Sequence, residues 1–390
     1  MTAAPNTMTD SHAQWLNIGA IIALLAVVHI FGRFIFTPLM PYFIDDDMLT
    51  LAQASELASI NYVGYFLGAW LAILSSAPAR LKPMILLTVI INILSTVAQV
   101  LTADFMALFV LRLINGISNG TVFVLAPALM LEWLAERQKT HLSSYMYLGV
   151  SLGLVMSGVL VSATHEYFTH QWRWLPAAIG AVAFGLFGLY RLRHIHIHPP
   201  TIDTHQKPPP LFDARSIRLF IAYLGAGFGY ILPMTFLPTL AYQLDADAAI
   251  NAHLWSVVAI ACLLTTPMWS ILGKRLGDHQ TLIISYWMQA LGVAMVLLLP
   301  NAIGLVACAI GVGGGFLGSV ICTQRYARQL QPAQGIKLSA LLISIYALAQ
   351  LLAPVLARFL MSLGHDLLMT FALGLVAFII SLIASYSIKA

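Results

Sequence analysis

Charged residues are scarce in this chain. Of its 390 residues, only 9% are Asp, Glu, Lys or Arg, whereas 60% are hydrophobic. A soluble domain carries charges at roughly a quarter of its positions. So few charges cannot cover the surface of a water-soluble protein, and lipid must take the place of much of the solvent. The composition therefore predicts an integral membrane protein.

Cysteine is also rare, and several functional motifs are absent. The three cysteines, Cys262, Cys308 and Cys322, lie in or beside apolar segments without CxxC spacing, so we expect neither a disulfide framework nor a zinc site. No phosphate-binding GxxxxGK[ST] motif and no HExxH zinc motif occurs. We therefore expect no enzyme activity, no cofactor and no metal, and we expect neither ATP nor nucleic acid as a partner.

Long apolar segments fill most of the chain. About twelve of them are long enough to cross a bilayer as helices, which takes about 20 apolar residues. We place these spans near residues 15–44, 52–75, 84–102, 105–131, 142–163, 173–192, 217–243, 251–273, 281–299, 301–325, 337–360 and 365–386. The first is too long for the hydrophobic core of a signal peptide. The predicted fold class is an all-α membrane protein with about twelve transmembrane helices.

The basic residues divide the segments between the spans into two groups. All Lys and Arg except Arg33, Arg112, Arg173 and Arg358 fall on the side that also holds both termini, whereas the opposite side carries mainly acids. Basic loops tend to stay in the cytoplasm. The distribution therefore predicts a multi-pass protein of the inner (plasma) membrane with both termini in the cytoplasm.

The domain organisation follows from one long polar stretch between spans. We expect a cytoplasmic N-terminal tail, a six-helix bundle, a cytoplasmic linker and a second six-helix bundle, at 1–14, 15–193, 194–216 and 217–386. Paired prolines make the linker stiff. Alternating histidines in an exposed linker are more often solvated than metal-bound. The histidines concerned are His194, His196, His198 and His205.

The two halves share a short repeat. A Phe-Pro-Tyr pattern in the first span recurs at a constant offset of 200 in the seventh, as Phe36, Pro38, Tyr42 and Phe236, Pro238, Tyr242. Proline removes a backbone hydrogen bond and kinks a helix, although it is also simply commoner in membrane helices. Broken helices in matching positions point to binding cavities and gates. The candidate gating or kink residues are Pro38, Pro41, Pro233 and Pro238.

Three motifs make the chain similar to a known family. They are Gly32-Arg-Phe-Ile-Phe-Thr-Pro-Leu-Met-Pro41, Asn61-Tyr-Val-Gly-Tyr-Phe-Leu-Gly-Ala69 and Gly227-Phe-Gly-Tyr-Ile-Leu-Pro-Met-Thr-Phe-Leu-Pro238. Together they resemble the YbfB/YjiJ family of major facilitator superfamily (MFS) transporters, and the resemblance runs through both halves. It implies an MFS-type fold of two pseudo-symmetric six-helix halves and solute transport, but it names no substrate.

Two arginines lie inside predicted spans, Arg33 and Arg112. An arginine at mid-bilayer costs about 3 kcal/mol, so each should face the protein interior or a wet cavity. Asp and Glu occur only near the membrane surfaces, so the cavity is net positive and suits an anionic solute. The alternative for Arg33 is a bond to carbonyls that Pro38 and Pro41 leave free. Arg112 could instead serve helix packing or coupling, because its Arg-x-x-x-Gly pattern looks like the MFS signature of the fourth span.

Further polar side chains complete the candidate site, since such groups in a membrane bind ligands or tie helices together. The substrate-binding candidates are Arg33, Arg112, His29, Asn61, Tyr65, Tyr230, Tyr346 and Gln350. The candidates for proton coupling are His29, Glu132 and Asp104. His29 precedes Arg33 by four residues and so shares its helix face.

The leading hypothesis is a secondary active transporter. It would move a small, anionic organic solute across the inner membrane by alternating access, with the proton gradient as its expected driving force. Its partners would be the solute, protons and the lipid bilayer. An MFS-type exporter of drugs and amphiphiles is one alternative, although it calls for an acidic residue in a large apolar cavity. A non-transporting membrane sensor is the other.

Overall fold

The chain folds into long helices. The computed structural model describes residues 7–75, 77–197, 210–244 and 248–388. Within these residues, twelve helical segments are long and apolar enough to cross a membrane. Numbered in chain order as spans 1 to 12, they are His12–Asp45, Ala52–Leu74, Pro78–Leu101, Phe105–Ala135, Thr140–Thr164, His170–Leu192, Ala214–Gln243, His253–Leu276, Asp278–Leu298, Ala302–Leu330, Gly335–Ser362 and Leu367–Tyr386. The predicted all-α class and the predicted number of spans are confirmed.

Several helices run past the predicted limits of the membrane. The helix of span 1 begins at Thr7, inside the predicted tail, and the helix of span 7 begins at Ala214, inside the predicted linker. A helix continues beyond lipid wherever its backbone groups stay bonded, so hydropathy marks the membrane limit and not the helix end. Residues 1–6 and 198–209 lie outside the described residues. The second range includes two of the predicted linker histidines, His198 and His205.

Span 1 is not one continuous α-helix. Its three parts are an α-helix, a π-helix and a second α-helix, at Thr7–Ala26, Val27–Phe34 and Phe36–Asp45. The amide of Ile35 bonds the carbonyl of Ile30, five residues back, at 2.9 Å. This is the π-type bond, in which each turn holds an extra residue. The irregular segment lies before Pro38, so a widened turn and not a proline interrupts the regular helix.

The prolines in spans 1 and 7 differ from the prediction. Pro38 lies in the first turn of the last helix of span 1, where a missing amide costs little, and Pro41 lies inside that helix. Span 7 is one α-helix, Ala214–Gln243, that continues through Pro233 and Pro238. The predicted break in span 7 is therefore wrong, because neighbouring helices can hold a membrane helix together across a proline. A gating role for these prolines stays a prediction.

The chain divides into two compact units, Met1–Pro199 and Pro200–Ala390. In the first unit, span 1 packs on spans 4, 5 and 6, span 2 packs on span 4, and span 3 packs on spans 4 and 6. In the second unit, the same pairs recur with every span number raised by six. The duplication suggested by the Phe-Pro-Tyr pattern is therefore present in the helix packing of each unit.

Spans 2 and 4 approach so closely that only glycine fits between them. Gly64 and Gly68 of span 2 face Gly116 and Gly120 of span 4, and a Cβ at any of the four would collide with the facing backbone. Small residues at four-residue spacing are the usual means by which membrane helices pack closely. Spans 8 and 10 of the second unit do the same through Gly313, whose Cβ would lie 2.5 Å from a carbonyl oxygen of span 8.

Candidate functional site

The π-helix in the middle of span 1 carries two of the candidate residues. His29 and Gly32 are buried there, whereas Arg33 and Phe34 are half-buried. A π-turn is rare and occurs frequently at functional sites. The basic candidates of span 1 are therefore held on an irregular piece of backbone rather than on a regular helix face.

Arg33 lies among aromatic rings. Its guanidinium carbon is 4.6 Å from the ring centroid of Tyr65, 4.8 Å from that of Tyr62 and 5.7 Å from that of Phe34. Aromatic faces attract a cation at these distances. Tyr62 and Arg33 are both half-buried, so this group of four residues, which we call the arginine cluster, has an accessible side.

Tyr62 is absent from the sequence-based candidates. The signal that could have found it is its position three residues before Tyr65, which puts both rings on one face of span 2. The close packing of spans 2 and 4 fixes that face, because a Cβ on Gly120 would meet the carbonyl oxygen of Tyr65. The glycines of span 4 therefore help to determine where the rings of the arginine cluster lie.

His29 is joined to the arginine cluster through shared rings. Its ring centroid is 4.9 Å from that of Phe123 and 5.7 Å from that of Phe34. Tyr65 lies 6.0 Å from the same Phe123 ring. The structure thus brings three predicted residues, His29, Arg33 and Tyr65, around two shared phenylalanines.

Arg112 occupies a different environment from Arg33. It is only 2% exposed, and its Nη1 donates to the carbonyl of Gly32 at 2.9 Å. Its guanidinium also lies over the ring of Phe36, 4.6 Å from the centroid. The sequence left helix packing and coupling open for Arg112, and these contacts support helix packing. A guanidinium bonded to a buried carbonyl of span 1 is poorly placed to meet a solute.

Asn61 also ties spans together. Its Nδ2 donates to the backbone carbonyl of Arg112 at 3.0 Å, and the side chain is buried. A hydrogen bond from an amide side chain to the backbone of a neighbouring span is a common means of joining membrane helices. The geometry therefore supports a structural role for Asn61 rather than the predicted contact with a solute.

Spans 3 and 4 share a buried polar network that sequence reasoning missed. Nδ2 of Asn92 donates to Oγ of Ser118 at 2.7 Å, and Nδ2 of Asn115 donates to Oγ of Ser95 at 2.8 Å. Nε2 of Gln99 donates to Oδ1 of Asn115 at 2.6 Å. The signal was available, because positions 92, 95 and 99 repeat at the spacing of one helix face.

The other two coupling candidates lie near helix ends. Asp104 is exposed, and its carboxylate accepts from the amide of Ala107 at 2.8 Å as the N-cap of span 4. Capping satisfies a backbone amide that the helix leaves free. Glu132 is half-buried in the last turns of span 4. Only His29 of the three predicted coupling residues is fully buried in the middle of a span.

The second unit contains a stack of aromatic rings from spans 7, 10 and 11. The ring centroid of Tyr346 lies 4.4 Å from that of Tyr223 and 5.2 Å from that of Tyr230, and Phe316 continues the stack at 5.6 Å from Tyr230. The rings are nearly parallel, with interplanar angles of 11° to 19°. Tyr346 fits beside span 7 because Gly227 leaves room, since a Cβ there would lie 2.9 Å from the ring. Gln350, one turn after Tyr346, is buried.

Each unit also has an ion pair near one end of its spans, partly buried in the first unit and buried in the second. In the first, Asp46 accepts from Nε and Nη2 of Arg173, at 2.5 Å and 2.8 Å. In the second, Asp278 accepts from Nε of Arg325 at 2.6 Å and from Nε2 of Gln329 at 2.7 Å. Sequence reasoning did not pair these residues, because the partners are 127 and 47 residues apart in the chain and no local pattern joins them.

Sequence comparison decides the family. A family described as "uncharacterised MFS-type transporter YbfB" matches residues 25–385. The chain belongs to this family of MFS transporters. The suspected family is thus confirmed, and its fold implies a multi-pass membrane protein.

The curated relatives are named for different solutes. The chain is 27% identical over 123 residues to the organic cation transporter protein of Drosophila melanogaster, covering 31% of this chain and 21% of the relative. It is 23% identical to the proline/betaine transporter of Salmonella typhimurium, covering 72% of this chain and 62% of the relative. It is 21% identical to the probable 4-methylmuconolactone transporter of Cupriavidus pinatubonensis, covering 70% and 69%. The chain spans less than two thirds of the first two relatives.

Solved structures agree on the fold. The MFS transporter FucP, crystallised in an outward conformation, matches with a TM-score of 0.73 at 13% identity, covering 97% of this chain and 100% of that chain. The human organic anion transporter MFSD10 (TETRAN) matches with a TM-score of 0.68 at 16% identity, covering 95% and 98%. At these identities the likeness is one of fold alone.

Proposed function

We propose that this MFS transporter moves a small organic anion by alternating access and that Arg33 binds the anionic group. The observation that carries the proposal is the arginine cluster, in which a half-buried cation lies in the middle of span 1 among three aromatic rings. Arginine presents a planar fork of donors that matches a carboxylate. Acids are confined to the ends of the spans, so the interior favours negative solutes.

The substrate class is tested by binding before transport. The purified protein is warmed with lactate, succinate, benzoate or choline, and the shift of its unfolding midpoint is measured. Binding to the folded state raises that midpoint by mass action. We expect a carboxylate to stabilise the protein and choline to have no effect. Stabilisation by choline alone would instead favour a cation transporter, as the name of one relative suggests for that relative.

The role of Arg33 is tested in proteoliposomes with the carboxylate that stabilises best. Arg33→Gln should abolish flux and binding while leaving the unfolding midpoint without solute unchanged. Arg358→Gln is the matched control, because Arg358 is exposed near the end of span 11 and should transport normally. Normal flux in Arg33→Gln would refute the assignment.

Proton coupling is proposed through His29, with Glu132 and Asp104 as the weaker candidates. The support is the position of His29 inside the membrane, four residues before Arg33 and in contact with Phe34. Histidine is the side chain whose charge changes most easily near neutral pH. We expect an imposed pH gradient to drive carboxylate uptake in wild type and not in His29→Gln. Flux that ignores the gradient in wild type would remove coupling from the proposal.

An exporter of amphiphiles is the second candidate function. The aromatic stack of Tyr223, Tyr230, Tyr346 and Phe316 favours it, because stacked rings suit flat apolar molecules. We retain Tyr230, Tyr346 and Gln350 as proposed solute contacts under either function. Flux of a fluorescent cationic dye, unaffected by Arg33→Gln, would favour this exporter over an anion transporter.

The membrane and the orientation are also proposed. The excess of basic residues on the side of both termini supports an inner-membrane protein with cytoplasmic ends. Reporter fusions after each terminus test this. Fluorescence of a C-terminal green fluorescent protein, which folds only in the cytoplasm, is the expected result.

A further inference from the structure

The π-helix of span 1 is bonded by side chains from a neighbouring span. Nδ2 of Asn119 donates to the carbonyl of Val28 at 2.8 Å, and Nη1 of Arg112 donates to the carbonyl of Gly32 at 2.9 Å. Both carbonyls belong to the π-helix. Asn119 and Arg112 are seven residues apart, which puts them on one face of span 4. Span 4 therefore donates to both ends of the irregular segment.

Span 3 supports the same segment from another direction. The side chain of Asn92 lies directly on Gly32, because a Cβ at Gly32 would lie 2.8 Å from Oδ1 and 2.9 Å from Nδ2 of Asn92. Asn92 is held in place by Ser118 and by the carbonyl of Asn115. The glycine lets the asparagine approach the π-helix closely, and the network of spans 3 and 4 keeps it there.

The side chains of Asn92 and Asn119 each leave one polar atom without a hydrogen bond. Oδ1 of Asn92 and Oδ1 of Asn119 are buried without a hydrogen-bond donor in the part of the chain that the structure describes. A buried acceptor without a donor is unfavourable. Both amides thus direct their donors to span 4 or span 1 and leave their oxygens unbonded. The arrangement therefore satisfies the amide donors of both side chains but not their acceptor oxygens.

The register of span 1 determines which way Arg33 points. One extra residue in a helical turn rotates everything that follows by about 100°, since an α-helix has 3.6 residues per turn. Arg33 lies near the end of the π-helix, after most of that rotation has accumulated. A regular α-helix between Val27 and Phe34 would therefore carry Arg33 away from the rings of Tyr62 and Tyr65.

We propose that Asn119 and Asn92 are positioning residues, which hold Val27–Phe34 in the π-helical register and so present Arg33 to Tyr62 and Tyr65. The proposal rests on the proposed function only where it says that Arg33 in this position binds an anion. The register itself is a claim about the backbone. The two parts can therefore be tested separately.

The register is tested by thiol accessibility. Single cysteines are placed at 27–37 in a protein whose three native cysteines, all buried, are replaced by serine. In wild type, cysteines at the half-buried positions 33 and 34 should react with a polar maleimide, and those at 28 and 32 should not. Asn119→Leu should change which positions react. The reaction at position 33 should fall by about fivefold or more, since that position would turn towards the packed interior of the unit.

The position of Arg33 is tested by binding of lactate, succinate and benzoate to the variants with native Arg33. Asn119→Leu should weaken the best of these by about tenfold, the equivalent of losing one good hydrogen bond to the anion. Thr121→Val is the matched control, because Thr121 also donates from span 4 to a backbone carbonyl, that of Gly68 in span 2, at 3.0 Å. It should leave both the thiol pattern and the affinity unchanged.

A second variant protects the test against misfolding. If Asn119→Leu fails to fold, Asn92→Ser removes the support from span 3 and should give the same shift and the same loss of affinity. An unchanged thiol pattern in the folded variant overturns the register claim whatever happens to binding. A shifted pattern with wild-type affinity overturns the positioning claim. Wild-type affinity in Arg33→Gln overturns the proposed function instead and leaves the register claim standing.

Discussion

The two units have the same helix packing but different interiors. Each packs its spans in the same pairs, and each uses glycine where its second and fourth spans meet. The first unit holds Arg33, Arg112 and His29 inside the membrane, whereas the second holds a stack of Tyr223, Tyr346, Tyr230 and Phe316. After a duplication, backbone packing tolerates little change, because helices in contact leave no space for a larger residue. Inward-facing side chains outside these helix contacts can differ between the units, so the two interiors have different chemistry.

The comparison also applies within the first unit, where two arginines have different surroundings. Arg112 is buried against backbone carbonyls, and Arg33 is half-buried among rings. The same residue type at a similar depth thus serves structure in one position and, by our proposal, solute binding in the other. What distinguishes them is the set of neighbours that other spans provide.

The largest expected effect comes from a substitution that disrupts the glycine packing found in both units. Gly68→Ala places a methyl group against the backbone of Ile117, which cannot move without separating spans 2 and 4. We expect a loss of about 3 kcal/mol, the upper end of the cost of overpacking. Gly158→Ala is the control, because a Cβ there meets nothing within 4 Å. Unfolding midpoints in detergent measure both variants, and equal midpoints would contradict the packing account.

A smaller effect sharpens the contrast between the two arginines. Arg112→Met leaves the carbonyl of Gly32 buried without its donor, so we expect a loss of about 2 kcal/mol. Arg33→Gln should lose carboxylate binding with little loss of stability. Thermal unfolding and binding are measured on both variants. A pair of variants with the same profile in both measurements would show that the two arginines have one role.

The aromatic stack tests the second unit. Tyr346→Leu removes two ring contacts, each worth about 0.5–1.5 kcal/mol beyond simple burial, so we expect a loss of about 1.5 kcal/mol. Tyr242→Leu is the control, since Tyr242 is 78% exposed. Thermal unfolding of the two variants is compared in the same detergent. A loss in Tyr242→Leu that matches the loss in Tyr346→Leu would show that the stack adds no stability of its own.

The smallest effect concerns the ion pair of the first unit and depends on pH. The hydrogen bonds from Arg173 hold the pKa of Asp46 below its ordinary value of 3.8. The folded state therefore binds the proton less well than the unfolded state. The stabilisation is fully present above about pH 4 and is lost as the pH falls through the lower pKa of the folded state.

Asp46→Asn makes that pH dependence measurable. At neutral pH the variant should be about 1 kcal/mol less stable than wild type, the upper end for ion pairs near a surface. Below pH 4 the difference between the two proteins should shrink, because protonated Asp46 no longer carries the charge. Unfolding midpoints between pH 3 and pH 7 follow the difference. A gap that stays constant over this range would exclude the ion pair as its cause.

Much of the fold was predictable, but less of the site was. Hydropathy located the spans because a helix needs about 20 consecutive apolar residues to cross a bilayer. The sequence singled out Arg33, His29 and Tyr65 as candidates because charged and polar groups inside a membrane are costly and rarely accidental. Tyr62 was missed because aromatic residues are common in membrane helices, so its spacing from Tyr65 carried little weight until the structure placed its ring 4.8 Å from the guanidinium of Arg33. The predicted break in span 7 was wrong because the prediction considered only the effect of proline on its own helix. Neighbouring helices can hold a membrane helix together across a proline.

By itself, the sequence determined the helical class, the number of spans and the family, since these depend on composition, length and motifs that are local in the chain. Only the tertiary structure decided that Arg112 bonds the backbone of span 1, that span 1 contains a π-helix and that Asp46 pairs with Arg173. The physical reason is that the partners of Arg112 and Asp46 lie on spans that are distant in the chain, so these hydrogen bonds exist only once the helices have packed. The π-type bond itself lies within span 1, where Asn119 and Arg112 of span 4 donate to the same segment.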